Sequence, residues 1–198
     1  MAKLPLAFPG MRIGLFGGSF NPPHAGHVAA SLTALKRLRL DRVWWLVSPQ
    51  NPLKQNAPPL EKRLAQARAL IRDPRLIATD IEAKLGTRYT ADTLAALKLR
   101  YPSVRFVFII GADNMAGLPR WKNWTGIMEQ VPLAVVARPG YAFTVLNTKA
   151  AQRYSHARLP AEGAPLLAAT PAPAWTFLLG RLDPSASREI RADRGRTG

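Results

Sequence analysis

One stretch of the sequence, residues 17–27 (GGSFNPPHAGH), combines residue types that favour contact with phosphate and holds two of the three histidines of the chain. Gly17 and Gly18 let main-chain amides approach a ligand closely, and we expect them to adopt positive φ. His24 and His27 are three residues apart at the start of a predicted helix, so that both imidazoles can face one group. A helix N-terminus also attracts anions. The stretch is therefore a candidate phosphate site.

Other interpretations of these residues compete with phosphate binding. A P-loop needs a lysine after its second glycine, and no lysine follows here. The spacing of Gly14, Gly17 and Gly18 does not fit the G-x-G-x-x-G fingerprint of dinucleotide-binding proteins. A zinc site would need a third ligand beside the two histidines. A Gly/Pro turn with two incidental histidines needs no ligand at all.

The elements that must position this stretch follow from the hydrophobic periodicity. Strands are predicted at 12–16, 43–47, 75–79, 104–110, 131–137 and 175–179, and helices at about 26–39, 60–71 and 90–99. This alternation predicts an α/β fold with a Rossmann-like, doubly wound, mostly parallel sheet, helices on both faces and a short C-terminal helical part. Ligands of such sheets bind at the carboxyl ends of strands, where residues 17–27 lie.

The length of 198 residues predicts one domain. We place it at 12–194, after an N-terminal extension at 1–11 and before a frayed tail at 195–198. Residues 141–173 are rich in Ala and Pro and weakly periodic, which predicts a variable segment lying on the surface.

Composition limits the compartment and the partners. The chain has no cysteine, and its 28 Lys and Arg against 12 Asp and Glu give a net charge of +16. Its longest apolar runs are far shorter than the roughly 20 residues that a bilayer requires, and its first residues do not predict a secretory signal. We therefore expect a cytoplasmic protein that does not enter membranes. The charge favours polyanions in general, but no RNA-binding module accompanies it, so no specific nucleic-acid partner is expected.

Residues 17–27 resemble the GGxFxPxHxGH motif of adenylyltransferases in the nucleotidyltransferase superfamily, which share HxGH with class I aminoacyl-tRNA synthetases. The resemblance implies that His24 and His27 contact the phosphates of ATP and stabilise charge on its α-phosphoryl group. It also implies that five further residues of the motif line the ATP site, namely Gly17, Gly18, Ser19, Phe20 and Gly26. Ser19 and Phe20 would reach the second substrate too.

Four further stretches resemble the bacterial nicotinate-nucleotide adenylyltransferases: 48–54 (SPQNPLK), 88–94 (RYTADTL), 111–124 (GADN followed by WKNW) and 137–140 (ARPG). The resemblance implies that Gly111 and Asp113 bind ATP. It implies that nicotinate mononucleotide contacts Lys54, Tyr89, Thr90, Trp121 and Arg138. An ordinary alternative for Thr90 is a helix cap.

The C-terminal match is looser. Residues 183–191 (DPSASREIR) stand where the family has an ISSTxxR-like segment. An alignment on Ile190 and Arg191 assigns Ser187 and Arg191 to ATP, whereas an alignment on residues 185–187 moves the isoleucine one position late. The resemblances together span about residues 12–191.

The family implies that the phosphate of nicotinate mononucleotide displaces pyrophosphate from Mg-ATP. A phosphate monoester is already an anion at neutral pH, so the reaction needs no general base. His24, His27, Lys54 and Arg191 would serve catalysis by positioning and by positive charge. Mg²⁺ would be held mainly by the ATP phosphates, with no metal site of the protein's own. Nicotinamide mononucleotide or phosphopantetheine as the substrate, or a non-catalytic basic domain that binds nucleotides or RNA, are the alternatives.

Overall fold

The computed structural model describes residues 4–49, 58–137 and 145–179. Its strands are β1 (Arg12–Gly18), β2 (Arg42–Val47), β3 (Leu76–Thr79), β4 (Arg105–Gly111), β5 (Leu133–Val136), β6 (Arg158–Leu159) and β7 (Trp175–Leu178). Its α-helices are α1 (Ala25–Arg37), α2 (Leu60–Leu70), α3 (Ile81–Leu85), α4 (Thr90–Arg100), α5 (Ala112–Gly117), α6 (Trp124–Gln130) and α7 (Lys149–Arg153). Turns of 3-10 helix lie at Leu118–Arg120, Val145–Asn147, Ser155–Ala157 and Ala161–Ala169.

The strands of the described residues form one sheet in the order β3-β2-β1-β4-β5-β7-β6. Every neighbouring pair is parallel. The chain moves outward from β1 to β3 and then returns to place β4 on the other side of β1. The strand order therefore reverses between β1 and β4, which is where sheets of this kind bind ligands. The predicted doubly wound fold is confirmed.

Alternate residues of the central strands enter two separate cores, as the twofold period of a strand requires. On β4, Phe106, Phe108 and Ile110 pack on one face of the sheet with residues of α4, α5, α6 and α7. Val107 and Ile109 pack on the other face with residues of α1, α2 and the 161–169 turn. Helices thus cover both faces, which explains the nearly unbroken apolar sequence of β4.

The predicted strands and long helices are present, with ends that differ by one or two residues, whereas four short helices were not predicted. These are α3, α5, α6 and α7, with five, six, seven and five residues. A helix of fewer than two turns shows too few repeats of the apolar period for the sequence to reveal it.

Residues 145–173 are not the purely surface-lying segment that we expected. They include α7 and β6, and seven of their side chains are buried: Val145, Ala150, Ala151, Tyr154, Ala164, Leu167 and Ala168. Five of these are alanine or valine, whose short side chains allow close packing without a clear amphipathic period. The segment adds the edge strand β6 to the sheet.

The described part of the N-terminal extension lies against the domain. The hydroxyl of Tyr101 donates to the carbonyl of Pro5 at 2.9 Å, and the amide of Gly10 donates to the carbonyl of Ser103 at 2.8 Å. The predicted C-terminal helical part and the tail at 195–198 lie outside the described residues. Among the helices that are described, none has the length and apolar character needed to cross a bilayer.

Candidate active site

The turn after β1 brings the two motif histidines together. His24 is the N-cap of α1, with extended backbone angles of φ −149° and ψ 170°. The main-chain N–H of His24 donates to Nδ1 of His27 at 3.2 Å, and the N–H of His27 donates to the carbonyl of His24 at 2.9 Å. The two ring centroids are 3.9 Å apart. The pair therefore acts as one unit at the start of the helix.

The hydrogen bond to His27 also selects its tautomer. An Nδ1 atom that accepts a hydrogen bond has a lone pair there, so the proton of the neutral ring lies on Nε2. Both imidazoles are almost fully buried, with 5% exposure for His24 and 7% for His27. In such a site a donor is worth more than it would be in water, because less solvent competes for the acceptor. His27 can thus donate from Nε2 to an anionic oxygen.

Aromatic side chains pack against the ring of His27. The ring of Phe20 stacks on Trp45 with a centroid distance of 4.7 Å and an interplanar angle of 8°, and it lies 4.9 Å from the His27 ring. The indole N–H of Trp45 donates to Oγ of Ser31 at 2.7 Å. The Ser31 hydroxyl in turn donates to the carbonyl of His27 at 2.8 Å. Both the ring and the main chain of His27 are therefore fixed by β2 and α1.

Gly17 and Gly18 allow neighbouring side chains to pack closely against the main chain, and they do not adopt positive φ. Contrary to our expectation, the positive φ in this turn belongs to Phe20, at 44°. A Cβ atom on Gly18 would lie 3.1 Å from Cε2 of Phe20, and one on Gly17 would lie 3.2 Å from Cε2 of Phe108. Both distances are shorter than ordinary van der Waals contact. The rings of Phe20 and Phe108 therefore occupy the space that a side chain would need.

Arg63, a residue that we did not predict, holds the same turn from α2. Its Nη1 donates to the carbonyl of Ser19 at 2.7 Å, its Nη2 to that of Pro49 at 3.0 Å and its Nε to that of Pro58 at 2.9 Å. The residue is only 2% exposed. Burial lowers the pKa of its guanidinium below the usual value, against a smaller raising effect of Glu61.

Glu82 is a second buried charged residue that we did not predict. Burial raises the pKa of its carboxyl to about 7, although hydrogen bonds with the hydroxyls of Ser48 and Thr93 act in the opposite direction. Ser48 also donates its main-chain N–H to the carbonyl of Gly18 at 3.2 Å. Glu82 thus links the residue after β2, which contacts the motif, to α4.

The start of α4 carries the two residues that the resemblance assigns to nicotinate mononucleotide. Tyr89 is the N-cap, and Thr90 is the first helical residue. The alternative role of Thr90 as a cap is therefore wrong, because the cap position belongs to Tyr89. Nζ of Lys122 lies 4.4 Å from the centroid of the Tyr89 ring and 3.4 Å from the carboxylate of Asp92. The fold thus brings the turn that follows the 118–120 helix next to Tyr89.

Trp121 lies in that turn, half-buried, with its ring edge-to-face with Phe108 at 6.5 Å. Trp124 instead faces Tyr154, at a centroid distance of 6.0 Å. Phe108 belongs to β4, beside β1 in the sheet. Of the two tryptophans, Trp121 is therefore the one whose ring contacts β4.

Gly111 and Asp113 lie where β4 ends. Gly111 is the last residue of the strand and the N-cap of α5, and Asp113 is half-buried in the first turn of that short helix. Since β4 is the neighbour of β1, the turn after it meets residues 17–27 at the same edge of the sheet.

The remaining predicted site residues, Lys54, Arg138, Ser187 and Arg191, lie outside the described residues. Within the ranges that the structure describes, no three His, Asp or Glu side chains come together as a metal site.

The sequence did contain a signal for Arg63, because it lies four residues before the buried Ala67 and thus on the inner face of α2. Glu82 gave no comparable signal, since α3 was not predicted.

Known proteins resemble this chain over most of its length. The model of the cytidylyltransferase-like family matches residues 15–162. A probable nicotinate-nucleotide adenylyltransferase of Cereibacter sphaeroides is 58% identical over 183 residues, which cover 92% of this chain and 97% of that protein. A probable nicotinate-nucleotide adenylyltransferase of Ruegeria pomeroyi is 53% identical over 192 residues, which cover 96% of this chain and 90% of that protein.

Among solved structures, the nicotinic acid mononucleotide adenylyltransferase of Plasmodium falciparum, in complex with NaAD, has a similar fold. It aligns with a TM-score of 0.67 at 16% identity over 92% of this chain and 83% of its own.

Proposed function

This chain belongs to the family of the nicotinate-nucleotide adenylyltransferases, and we propose that it transfers the adenylyl group of ATP to nicotinate mononucleotide, giving deamido-NAD and pyrophosphate. The observation that carries the proposal is the paired arrangement of His24 and His27 at the carboxyl end of β1, with ring centroids 3.9 Å apart. Two adjacent imidazoles at a helix start form a donor group suited to an oligophosphate.

In the reaction, a phosphate oxygen of nicotinate mononucleotide attacks the α-phosphorus of ATP in line with the bond to the β-phosphate bridge. The new bond joins this oxygen to the α-phosphorus, and the bridging oxygen leaves with pyrophosphate. The attacking group is ionised at neutral pH, so no side chain has to remove a proton. The protein contributes orientation and positive charge, which supply most of the catalysis in phosphoryl-transfer reactions of this type.

We assign ATP to the edge of the sheet where β1 and β4 end. The motif residues Gly17, Gly18, Ser19, Phe20 and Gly26 would line the phosphates, with His27 donating from Nε2 and His24 beside it. Gly111 and Asp113 would contact the ribose, because a carboxylate accepts hydrogen bonds from sugar hydroxyls. Lys54, Ser187 and Arg191 complete this site by the resemblance alone.

We assign nicotinate mononucleotide to the space next to the start of α4. Tyr89 and Thr90 would contact it, together with Ser19 and Phe20 from the motif. Trp121 offers a flat surface for the pyridine ring. Lys54 and Arg138 would add positive charge for the phosphate or the ring carboxylate.

Mg²⁺ would reach the site on the phosphates of ATP. Asp113 is a single half-buried carboxylate, and Mg²⁺ is often bound through one or two carboxylates, water and substrate phosphates. The residues present fit such a shared site. The ion would reduce the negative charge that the attacking phosphate meets. We further propose that residues 12–194 act as one catalytic domain in the cytoplasm.

The test is pyrophosphate release from Mg-ATP with nicotinate mononucleotide, nicotinamide mononucleotide or phosphopantetheine as the acceptor. Release with nicotinate mononucleotide alone is the expected result. Equal release with both pyridine nucleotides would keep the chemistry but remove the specificity for the carboxylate. If none of the three acceptors gives release, the proposed function is wrong.

A further inference from the structure

Arg63 is the most deeply buried charged side chain in the described part of the chain, with 2% exposure. Its described hydrogen bonds go to main-chain carbonyls and not to a carboxylate. Burial of a charge costs several kcal/mol, and the nearby Glu61 offsets only part of this cost. An apolar side chain at this position of α2 would avoid that cost, so packing alone does not account for an arginine here.

The three carbonyls that Arg63 binds come from separate parts of the chain. Ser19 follows β1, Pro49 follows β2, and Pro58 precedes α2. A planar guanidinium offers five donors in a fixed fork, and here three different nitrogens are used. A lysine has a single nitrogen on a flexible stem and does not reproduce this geometry.

The bond to Ser19 fixes the peptide unit that enters the phosphate-binding turn. In a trans peptide the C=O and the next N–H point in opposite directions. The 2.7 Å bond from Nη1 to the carbonyl of Ser19 therefore also sets the direction of the Phe20 amide. Phe20 has a φ of 44°, a backbone conformation that costs energy for a residue other than glycine and persists only where surrounding contacts hold it.

Phe20 in turn contacts the histidine pair. Its ring is 4.9 Å from the ring of His27, which is 3.9 Å from that of His24. A change in the Ser19–Phe20 peptide would move the ring of Phe20 and so remove its contact with the ring of His27. An unbroken series of contacts therefore connects the guanidinium of Arg63 to the imidazoles of His27 and His24.

We propose that Arg63 is a positioning residue for adenylyl transfer, which holds the Ser19–Phe20 peptide and, through Phe20, keeps His24 and His27 in the geometry that the transition state needs. The inference rests on the proposed function for its effect on the rate. Its structural part, the link from Arg63 to the two rings, can be measured without any turnover.

The kinetic test compares Arg63→Ala and Arg63→Lys with Arg68→Ala, which removes an exposed arginine from the same helix. We expect Arg63→Ala to lower kcat by about 100-fold, because small displacements of catalytic groups cost that much. KM for ATP should change by less than about threefold, and Arg68→Ala should resemble the wild type. Arg63→Lys should recover little of the rate. Rates are compared at a temperature where circular dichroism shows every variant to be folded.

Chemical rescue separates positioning from simple stability. Methylguanidinium at millimolar concentration should raise kcat of Arg63→Ala at least about tenfold, whereas methylammonium should not, because only the former has the planar fork. A fall in melting temperature with unchanged kcat would show that Arg63 is structural only and overturn the proposal. A low kcat that methylguanidinium leaves unchanged would overturn it as well.

The ring signals of the three histidines give a readout that is independent of activity. In carbon–proton NMR spectra, Arg63→Ala should shift the signals of His24 and His27 and leave that of His156 in place. Unchanged signals for His24 and His27 would overturn the inference. If the wild type released no pyrophosphate with nicotinate mononucleotide, the proposed function would fail, and these signals would still decide whether Arg63 positions the rings.

Discussion

The ring of His24 lies with its centroid 3.9 Å from that of His27, and the main-chain N–H of His24 donates to Nδ1 of His27. The backbone of one histidine thus fixes the tautomer of the other. Nε2 of His27 carries the proton, and this hydrogen-bond donor exists before any substrate arrives. Such preorganisation avoids reorientation of the donor during the reaction, which is the main advantage of an enzyme site over water.

We predict that His24→Ala lowers kcat by about 100-fold or more and changes KM for ATP much less. A donor aimed at charge that develops in the transition state contributes mainly to kcat. Steady-state kinetics with Mg-ATP and nicotinate mononucleotide measure both constants. His156→Ala, which removes the exposed third histidine, is the control. A change in KM alone would show that His24 only binds ATP.

Trp121→Ala should raise KM for nicotinate mononucleotide by about fivefold, because an aromatic stacking contact contributes about 1 kcal/mol. KM for ATP should stay within about twofold of the wild type. Trp124→Ala serves as the comparison, since that ring faces Tyr154. It should lower the melting temperature and leave the KM of the folded enzyme unchanged. Equal effects of the two variants on KM would contradict the assignment of the pyridine ring to Trp121.

Two adjacent tryptophans of β2 allow a matched test of the hydrogen bonds that connect Trp45 through Ser31 to His27. Both Trp44 and Trp45 are fully buried. The indole N–H of Trp45 donates to Ser31 at 2.7 Å, whereas within the described residues that of Trp44 has no hydrogen-bond partner. Trp45→Phe should therefore reduce the free energy of unfolding by about 1 kcal/mol more than Trp44→Phe. Urea unfolding curves of the two variants measure the difference, and equal losses would refute the prediction.

Glu82 should make the stability of the protein depend on pH. Its carboxyl has a pKa of about 7 in the folded protein because of burial, compared with 4.5 for an ordinary glutamate. The folded state therefore binds more protons than the unfolded state between these values. The free energy of unfolding should fall as pH rises from about 5 to 7 and then level off. The shift of this carboxyl corresponds to about 3 kcal/mol in total.

Glu82→Gln should flatten this dependence, because the amide does not ionise. Glu162→Gln, at an exposed position, removes the same charge and should leave the slope unchanged. Urea unfolding at a series of pH values between 5 and 8 provides the measurement. A slope in Glu82→Gln equal to that of the wild type would show that another group is responsible.

The strands and the long helices could be predicted from the sequence because their apolar residues repeat with a clear period. Residues 104–110 are almost wholly apolar, and β4 proves to be covered on both faces by the two cores. The short helices α3, α5, α6 and α7 show too few repeats, so their existence depends on packing against neighbours that are distant in sequence. The burial of residues 145–173 was missed for a related reason, since small alanines fill gaps that only the assembled fold defines.

The sequence by itself indicated the candidate phosphate site, because residues 17–27 are contiguous and their types favour that chemistry. It also placed Tyr89 and Thr90 at the start of a helix, and Trp121 after a buried strand. Only the tertiary structure decided that Phe20, and not a glycine, has the positive φ, and that Arg63 and Glu82 contact the residues around the motif. The hydrogen bonds of Arg63 reach 44 residues back to Ser19. A local pattern cannot encode such a bond, because its geometry exists only when β1, β2 and α2 have come together.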